Sequence, residues 1–303
     1  MALKLRWFVV LASTALTLML RGRRPAPGRF TRRIYVTRAG TRFYKLYLPA
    51  CYRGQALPLV VMLHGCKQTP DDFAAGTRMN QLADEYGFIV VYPAQAWRAN
   101  VERCWNWFRS QDQQRERGEP AIIAGITRQV IARYRADPRR VYVAGLSAGG
   151  SMAAIMAATY PDLYAAVGIH SGLPYEAARG AATAAAAMRW KRLGPAARQP
   201  AIPTIVFHGD SDNTVHPSNG EYAVEPAISE QALAGGRRYT RSAHYDGVPF
   251  EHWLIHGAGH AWSGGQAAAS FTDAKGPDAS REMLRFFFSA QRAEIRLAEK
   301  AVA

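Results

Sequence analysis

The segment from Val141 to Gly149, VYVAGLSAG, leaves a folding chain very little choice. Four residues that read as a buried strand, Val141–Ala144, run into Gly145-Leu146-Ser147-Ala148-Gly149, and an alanine-rich helix pattern, Ala148–Thr159, begins at once. A strand that becomes a helix over so few residues must bend sharply. The Gly-x-Ser-x-Gly pattern suits that bend. The serine occupies a strained backbone conformation with its hydroxyl pushed outward, and the glycines let strand and helix approach without colliding side chains. The short motif alone also occurs wherever a strand packs tightly on a helix, so its meaning depends on the rest of the chain.

The surrounding pattern is one of alternation. Extended segments are expected at Arg33–Thr37, Arg42–Leu48, Leu57–Leu63, Phe88–Tyr92, Ala165–Ile169, Thr204–Phe207 and Trp253–His256. Helices are expected at Asp71–Tyr86, Ala121–Tyr134, Ala181–Ala187 and Asp278–Ser289. In Ala121–Tyr134, Ile122, Ile126 and Val130 fall on one face. Short apolar runs without polar alternation mark strands buried on both faces. Strands alternating with helices predict an α/β architecture, a mostly parallel central sheet covered by helices on both sides. Residues that do chemistry then gather beyond the carboxyl ends of the strands.

The 303 residues carry a net charge of +15, but the excess is local. Thirteen basic residues and no acidic one precede Asp71; the remainder holds 25 basic against 23 acidic. The body is close to neutral, without a basic stripe interleaved with aromatics, which argues against nucleic-acid binding. Lys4 and Arg6 precede an apolar stretch, Trp7–Leu20, then RGRRPAPGRF, with Pro25–Arg33 expected as a flexible tether. The pattern resembles a secretory signal, although no Ala-x-Ala cleavage site follows. About 21 Å of helix is short for a hydrocarbon core of about 30 Å. Its arginines could instead sit against anionic headgroups, an anchor rather than a span. The expected organisation is a signal-like or anchor segment over 1–30, a catalytic domain over 31–291 and a tail over 292–303. Export is favoured over a cytoplasmic location. Cys66 and Cys104 both lie just beyond predicted strands, and in an exported protein they are the expected disulfide, with Cys51 left over.

An exposed serine is a weak nucleophile until a base takes its proton and a third group orients the base. In strand–elbow–helix proteins of this kind the order along the chain is serine, acid, histidine. After Ser147 the segment TIVFHGDSDNTVHP offers Asp210 and Asp212, and WLIHGAGHAWSGG offers His256 and His260. His256 and Asp210 follow their strands closely. His260 and Asp212 lie further along their loops, with the greater reach, and are the expected base and acid; Asp210 stays as the alternative. Two backbone N–H groups should stabilise an oxyanion, that of Ala148 after the nucleophile and that of Cys66 in LHGCKQ. His64 precedes the serine and is expected to brace its loop. Trp105, Trp107 and Trp262 flank the motif loops, where they either wall a substrate cleft or pack beneath it. His170, His244, His252 and His256 lack metal-ligand spacing and read as structural.

Together, LHGCKQTPDDFAAGTRMNQLADEYGFIVVYPAQ, CWNWF, VYVAGLSAGG, HGDSDNTVHPSN and HGAGHAWSGG resemble the catalytic domain of the poly(3-hydroxybutyrate) depolymerase family of esterases, α/β-hydrolases related to feruloyl and acetylxylan esterases. The resemblance runs from about Thr31 to Gln291. It implies Ser147, Asp212 and His260 as triad, Cys66 and Ala148 as oxyanion donors, no metal or other cofactor, and a small ester or 3-hydroxyalkanoate oligoester as substrate. A feruloyl- or acetylxylan-type esterase and a non-catalytic protein of the same fold are the rival expectations.

Overall fold

The structure, a computed structural model, describes residues 27–191 and 196–289. The apolar stretch Trp7–Leu20, its flanking arginines up to Arg24 and the tail over 292–303 lie outside the described residues. Among those described, no helix is long and apolar enough to cross a membrane.

Why the central runs become strands is plain from which residues go where. In β3 (Leu59–Leu63), Leu59, Val61 and Leu63 join one hydrophobic cluster while Val60 and Met62 join the other. In β5 (Val141–Leu146), Val143 goes to the first, Tyr142 and Ala144 to the second. Side chains alternate across a strand, so a strand with a core on each side must be apolar at every position. All ten strands of the main sheet take part in the order β1-β2-β4-β3-β5-β6-β7-β10-β9-β8. Here β1 is Arg29–Thr37, β2 Gly40–Leu48, β4 Ile89–Pro93, β6 Ala166–His170, β7 Thr204–Gly209, β8 Ile228–Ala234, β9 Arg237–His244 and β10 Phe250–Ile255. The run from β4 through β10 is parallel, and an antiparallel pair closes each edge.

On one face lie α3 (Gly118–Tyr134) and α4 (Ala148–Thr159); on the other lie α1 (Pro70–Thr77), α2 (Met79–Tyr86) and a closing helix α6 over 279–289. A further helix, α5 (Ala181–Arg189), is mostly exposed. The start of α1 is written in its residues. Thr69 caps it, its hydroxyl accepting from Asp72 N–H at 3.2 Å, Pro70 supplies a preset φ, and Asp71 and Asp72 place negative charge at the first turn.

Two expectations are corrected here, and one element carries no signal in the sequence. The helix expected over Asp71–Tyr86 is two helices, broken at Arg78, which sits in the left-handed region at φ 56°. Its guanidinium is drawn to the Gly264 carbonyl and to Asp278, both at 2.7 Å, a tertiary pull that helix periodicity does not encode. The tether expected over Pro25–Arg33 gives way to β1 from Arg29, because nine consecutive residues pair in register with β2. The element without a sequence signal is the hairpin β8–β9. Its two-residue turn, Gly235-Gly236, has φ of 62° and 100°, the geometry that suits the twist of a hairpin and that side chains resist. Nearly all of β8 is exposed, so it carries no alternating pattern to betray it.

Candidate active site

Ser147 stands at the junction of β5 and α4 with φ 56° and ψ −121°, a conformation rarely tolerated outside a sharp turn. The neighbours hold it there. Its N–H donates to the His170 carbonyl at 2.9 Å, and its own carbonyl receives the Ser151 N–H at 2.9 Å. The flanking glycines permit the approach: a Cβ on Gly149 would collide with the backbone carbonyls of Leu63 and His64, and one on Gly145 with the Gly149 backbone.

Beyond the end of β7, the loop carries Asp212, whose side chain is fully buried. One carboxylate oxygen accepts from the Thr214 and Val215 N–H groups, each at 2.9 Å. The other accepts from His260 Nδ1 at 2.7 Å, and His208 Nε2 stands 3.4 Å away. Burial alone would push this carboxyl up. The hydrogen bonds from His208 and His260, with the charge of His260 and the Val215 N–H, overcome it and hold the group well below the ordinary carboxylate range. Asp212 is thus ionised and His260 is held through Nδ1, which leaves Nε2 as the nitrogen able to exchange a proton.

The alternative aspartate makes a different pair. Asp210 Oδ2 accepts from His256 Nδ1 at 2.9 Å, its other oxygen takes the Gly257 N–H at 2.7 Å, and His256 Nε2 meets Thr240 Oγ1 at 2.9 Å. Both ring nitrogens of His256 are committed, and about a third of each side chain is exposed.

Ser147, His260, Cys66 and Ala148 open on one cavity of about 220 Å³ whose apolar wall includes Trp107, Leu173, Met188, Val215 and Phe271. The amides around Cys66 are spent: Gly65 N–H on Gln68 Oε1 at 2.9 Å, Lys67 N–H on the Glu102 carbonyl at 2.7 Å. Among the described residues neither the Cys66 N–H nor that of Ala148, at the open start of a helix, meets an acceptor. A disulfide joins Cys66 to Cys104, the Cα atoms 4.2 Å apart, and so ties the Cys66 loop to the CWNWF loop.

The tryptophans divide. Trp107 lines the cavity. Trp105 and Trp262 take the other of the two expected alternatives and are buried, each indole N–H on an internal acceptor: the His64 carbonyl at 3.1 Å and Ser280 Oγ at 3.1 Å. Trp262 also stacks on His170, ring centres 5.0 Å apart. His170 accepts the Ser263 N–H at 3.0 Å, and burial lowers its pKa to about 3. His64 accepts the Gln95 N–H at 3.1 Å and contacts the Gly65 carbonyl at 2.8 Å; burial lowers its pKa to about 4. Both are neutral struts. His244 lies in β9 and the half-buried His252 in β10. Sequence reasoning missed His208, visible as the first residue of HGDSDNTVHPSN, and Phe271, which no motif signals.

A parallel sheet flanked by helices, a serine on a strand-to-helix elbow, and acid and histidine on the loops after two later strands together define the α/β-hydrolase fold. The acetyl xylan esterase of Aspergillus awamori superposes with a TM-score of 0.66 at 20% identity, over 85% of this chain and 98% of that one. The Esterase PHB depolymerase family matches residues 42–227, and the chain belongs to it. Poly(3-hydroxyalkanoate) depolymerase C of Paucimonas lemoignei is 36% identical over 67% of this chain and 54% of its own length; feruloyl esterase B of Neurospora crassa is 31% identical over 76% and 82%. The chain thus spans about half the length of the depolymerase it matches.

Proposed function

We propose that the protein hydrolyses carboxylic esters through an acyl-enzyme on Ser147. The observation that carries this reading is the buried Asp212–His260 pair opening on the same apolar cavity as Ser147 and two amides without acceptors. His260 Nε2 takes the Ser147 proton as Oγ attacks the ester carbonyl, while Asp212 fixes the tautomer and stabilises the imidazolium. The oxyanion is held by the Cys66 and Ala148 N–H groups, each such donor being worth about 10²–10³ in kcat. His260 then protonates the leaving alkoxide, and water, activated by the same ring, releases the acid. The chain's own side chains and amides supply every step.

Short 3-hydroxyalkanoate oligoesters and small acyl esters suit a cavity of this size and apolar lining. A feruloyl-type esterase is the second reading, favoured by the match to 82% of feruloyl esterase B. Export is proposed from the Cys66–Cys104 disulfide and the signal-like residues Lys4 to Leu20. The test is labelling with a fluorophosphonate, alongside a panel of butyryl, hydroxybutyrate-dimer and feruloyl esters. Stoichiometric labelling of wild type, lost in Ser147→Ala together with hydrolysis, is expected. An unlabelled wild type that cleaves none of the panel overturns the proposal.

A further inference from the structure

Phe271 is the one cavity-lining aromatic that stands on a loop without a motif, and its backbone is unusual. It has φ 51°, in the left-handed region that bulky residues avoid, while the residue lines the cavity and remains 42% exposed. Such a conformation persists only where its surroundings over-determine it. Both neighbours do so. After it, Thr272 pairs with Trp262 in a two-stranded ribbon, Trp262 N–H donating to the Phe271 carbonyl at 2.7 Å.

Before it, Ser270 is gripped by a polar clasp. Its N–H donates to Asp72 Oδ1 at 3.2 Å and its hydroxyl to Asp72 Oδ2. Gln68, 2% exposed, donates from Nε2 to the Ser270 carbonyl at 3.1 Å and to Asp72 Oδ2 at 3.1 Å. The other end of the same side chain, Oε1, accepts the Gly65 N–H at 2.9 Å. Gly65 precedes Cys66, the expected oxyanion donor. One amide therefore connects the oxyanion loop to the residue before Phe271, across 202 positions of sequence.

We propose that Phe271 sets the length of the group the cavity admits beside Ser147, and that Gln68 is the positioning residue that fixes Phe271 relative to the oxyanion loop. The inference rests on the esterase reading and deepens it. A clasp serving stability alone could link any two surface loops; this one joins an amide next to the oxyanion donor to a side chain on the cavity wall. The ring of Phe271 then stands at a constant distance from the reacting carbonyl and excludes longer chains.

The experiment measures kcat and KM for p-nitrophenyl acetate, butyrate, hexanoate and octanoate with wild type, Phe271→Ala, Phe271→Leu, Gln68→Leu and the Gln68→Leu/Phe271→Ala double variant. Fluorophosphonate titration counts active sites in each. Phe271→Ala is expected to raise the octanoate-to-acetate ratio of kcat/KM by about tenfold, the discrimination a pocket wall can exert on added methylenes. Phe271→Leu should fall between and serves as the readout if the alanine variant fails to fold. Gln68→Leu should shift the ratio in the same direction while lowering kcat on acetate, and the double variant should shift it no further than Phe271→Ala alone. A chain-length profile unchanged within twofold in titratable Phe271 variants overturns the assignment of Phe271. A Gln68→Leu protein that loses thermal stability yet keeps the wild-type profile and kcat overturns the coupling. If wild type itself neither labels nor turns over any ester, the esterase reading fails first and the inference with it.

Discussion

Two aspartate–histidine pairs sit side by side on the same two loops. Asp212 meets His260 at 2.7 Å and Asp210 meets His256 at 2.9 Å, each through Nδ1 and Oδ2. Distance does not separate them. Burial and commitment do: the Asp212 side chain is fully buried and backed by His208, whereas both members of the other pair are about one-third exposed and His256 spends its second nitrogen on Thr240. A carboxylate orients and polarises an imidazole strongly only where water is excluded, and the imidazole is useful only if its far nitrogen reaches a reacting atom. An Asp–His contact is therefore a weak sign of catalysis until its second nitrogen has been followed.

Four expected outcomes break or sharpen this contrast. The largest comes from deleting the bases: His260→Ala should lower kcat on p-nitrophenyl butyrate by up to about 10⁶-fold, as removal of the histidine does in subtilisin, while His256→Ala changes it less than about threefold. Comparable losses in both would dissolve the distinction. Next, Asp212→Asn should cost about 10⁴ in kcat, the loss seen when the orienting carboxylate of a serine protease is neutralised. Asp210→Asn should leave kcat near wild type and cost at most about 1 kcal/mol of stability, measured by urea denaturation, as befits a partly exposed pair.

Smaller in kcat is the effect of the bridge beside the cavity. Cys104→Ser frees the Cys66 loop; kcat should fall by up to about 10²-fold if the Cys66 N–H loses its place. Stability should fall by as much as about 4 kcal/mol by chain-entropy reckoning over the 38-residue separation. Thermal denaturation with and without reductant checks the second figure, steady-state kinetics the first. Wild-type kcat in the fully reduced protein would count against the Cys66 amide as a donor.

The smallest effect uses another buried carboxylate. Glu119 accepts from Gln95, from the Asn106 N–H at 2.7 Å and from Asn106 Nδ2 at 2.7 Å, all neutral amides, and the Arg42 guanidinium stands further off, at 3.8 Å. Burial, with the Asp112 charge adding to it, pushes its pKa up to about 7 against these bonds. Its folded value lies above the unfolded one, so the native state holds the proton longer and stability from this group falls as pH rises from about 4.5 to about 7. Asp212 runs the other way: its folded value is depressed, and its contribution is complete above about pH 4 and lost on acidification. Urea denaturation of Glu119→Gln between pH 5 and 8 should show the wild-type decline flattened, by roughly 3 kcal/mol at most. An unaltered slope would assign that pH dependence elsewhere.

Much of this was legible from residues alone. The parallel block was readable because strands buried on both faces must be apolar throughout, as Leu59–Leu63 is. The elbow was readable because only small residues fit where the Gly149 backbone meets Leu63. The preference for Asp212 over Asp210, and for His260 over His256, rests on reach along a loop, a sequence property, and enters the proposed mechanism as an expectation. The Cys66–Cys104 pairing followed from two strand ends facing the same side. What the chain order could not decide was set by contacts between distant segments. Arg78 breaks a continuous helical pattern because Gly264 and Asp278 lie within reach of its guanidinium. Trp105 and Trp262 sit under the cavity rather than on its wall because internal acceptors meet their indole N–H groups. Phe271 lines the cavity, and its neighbour Ser270 is held by Gln68 and Asp72 from another part of the fold. Periodicity and turn chemistry are local and survive in one dimension; which side a side chain faces on a loop depends on partners that only the folded chain brings near.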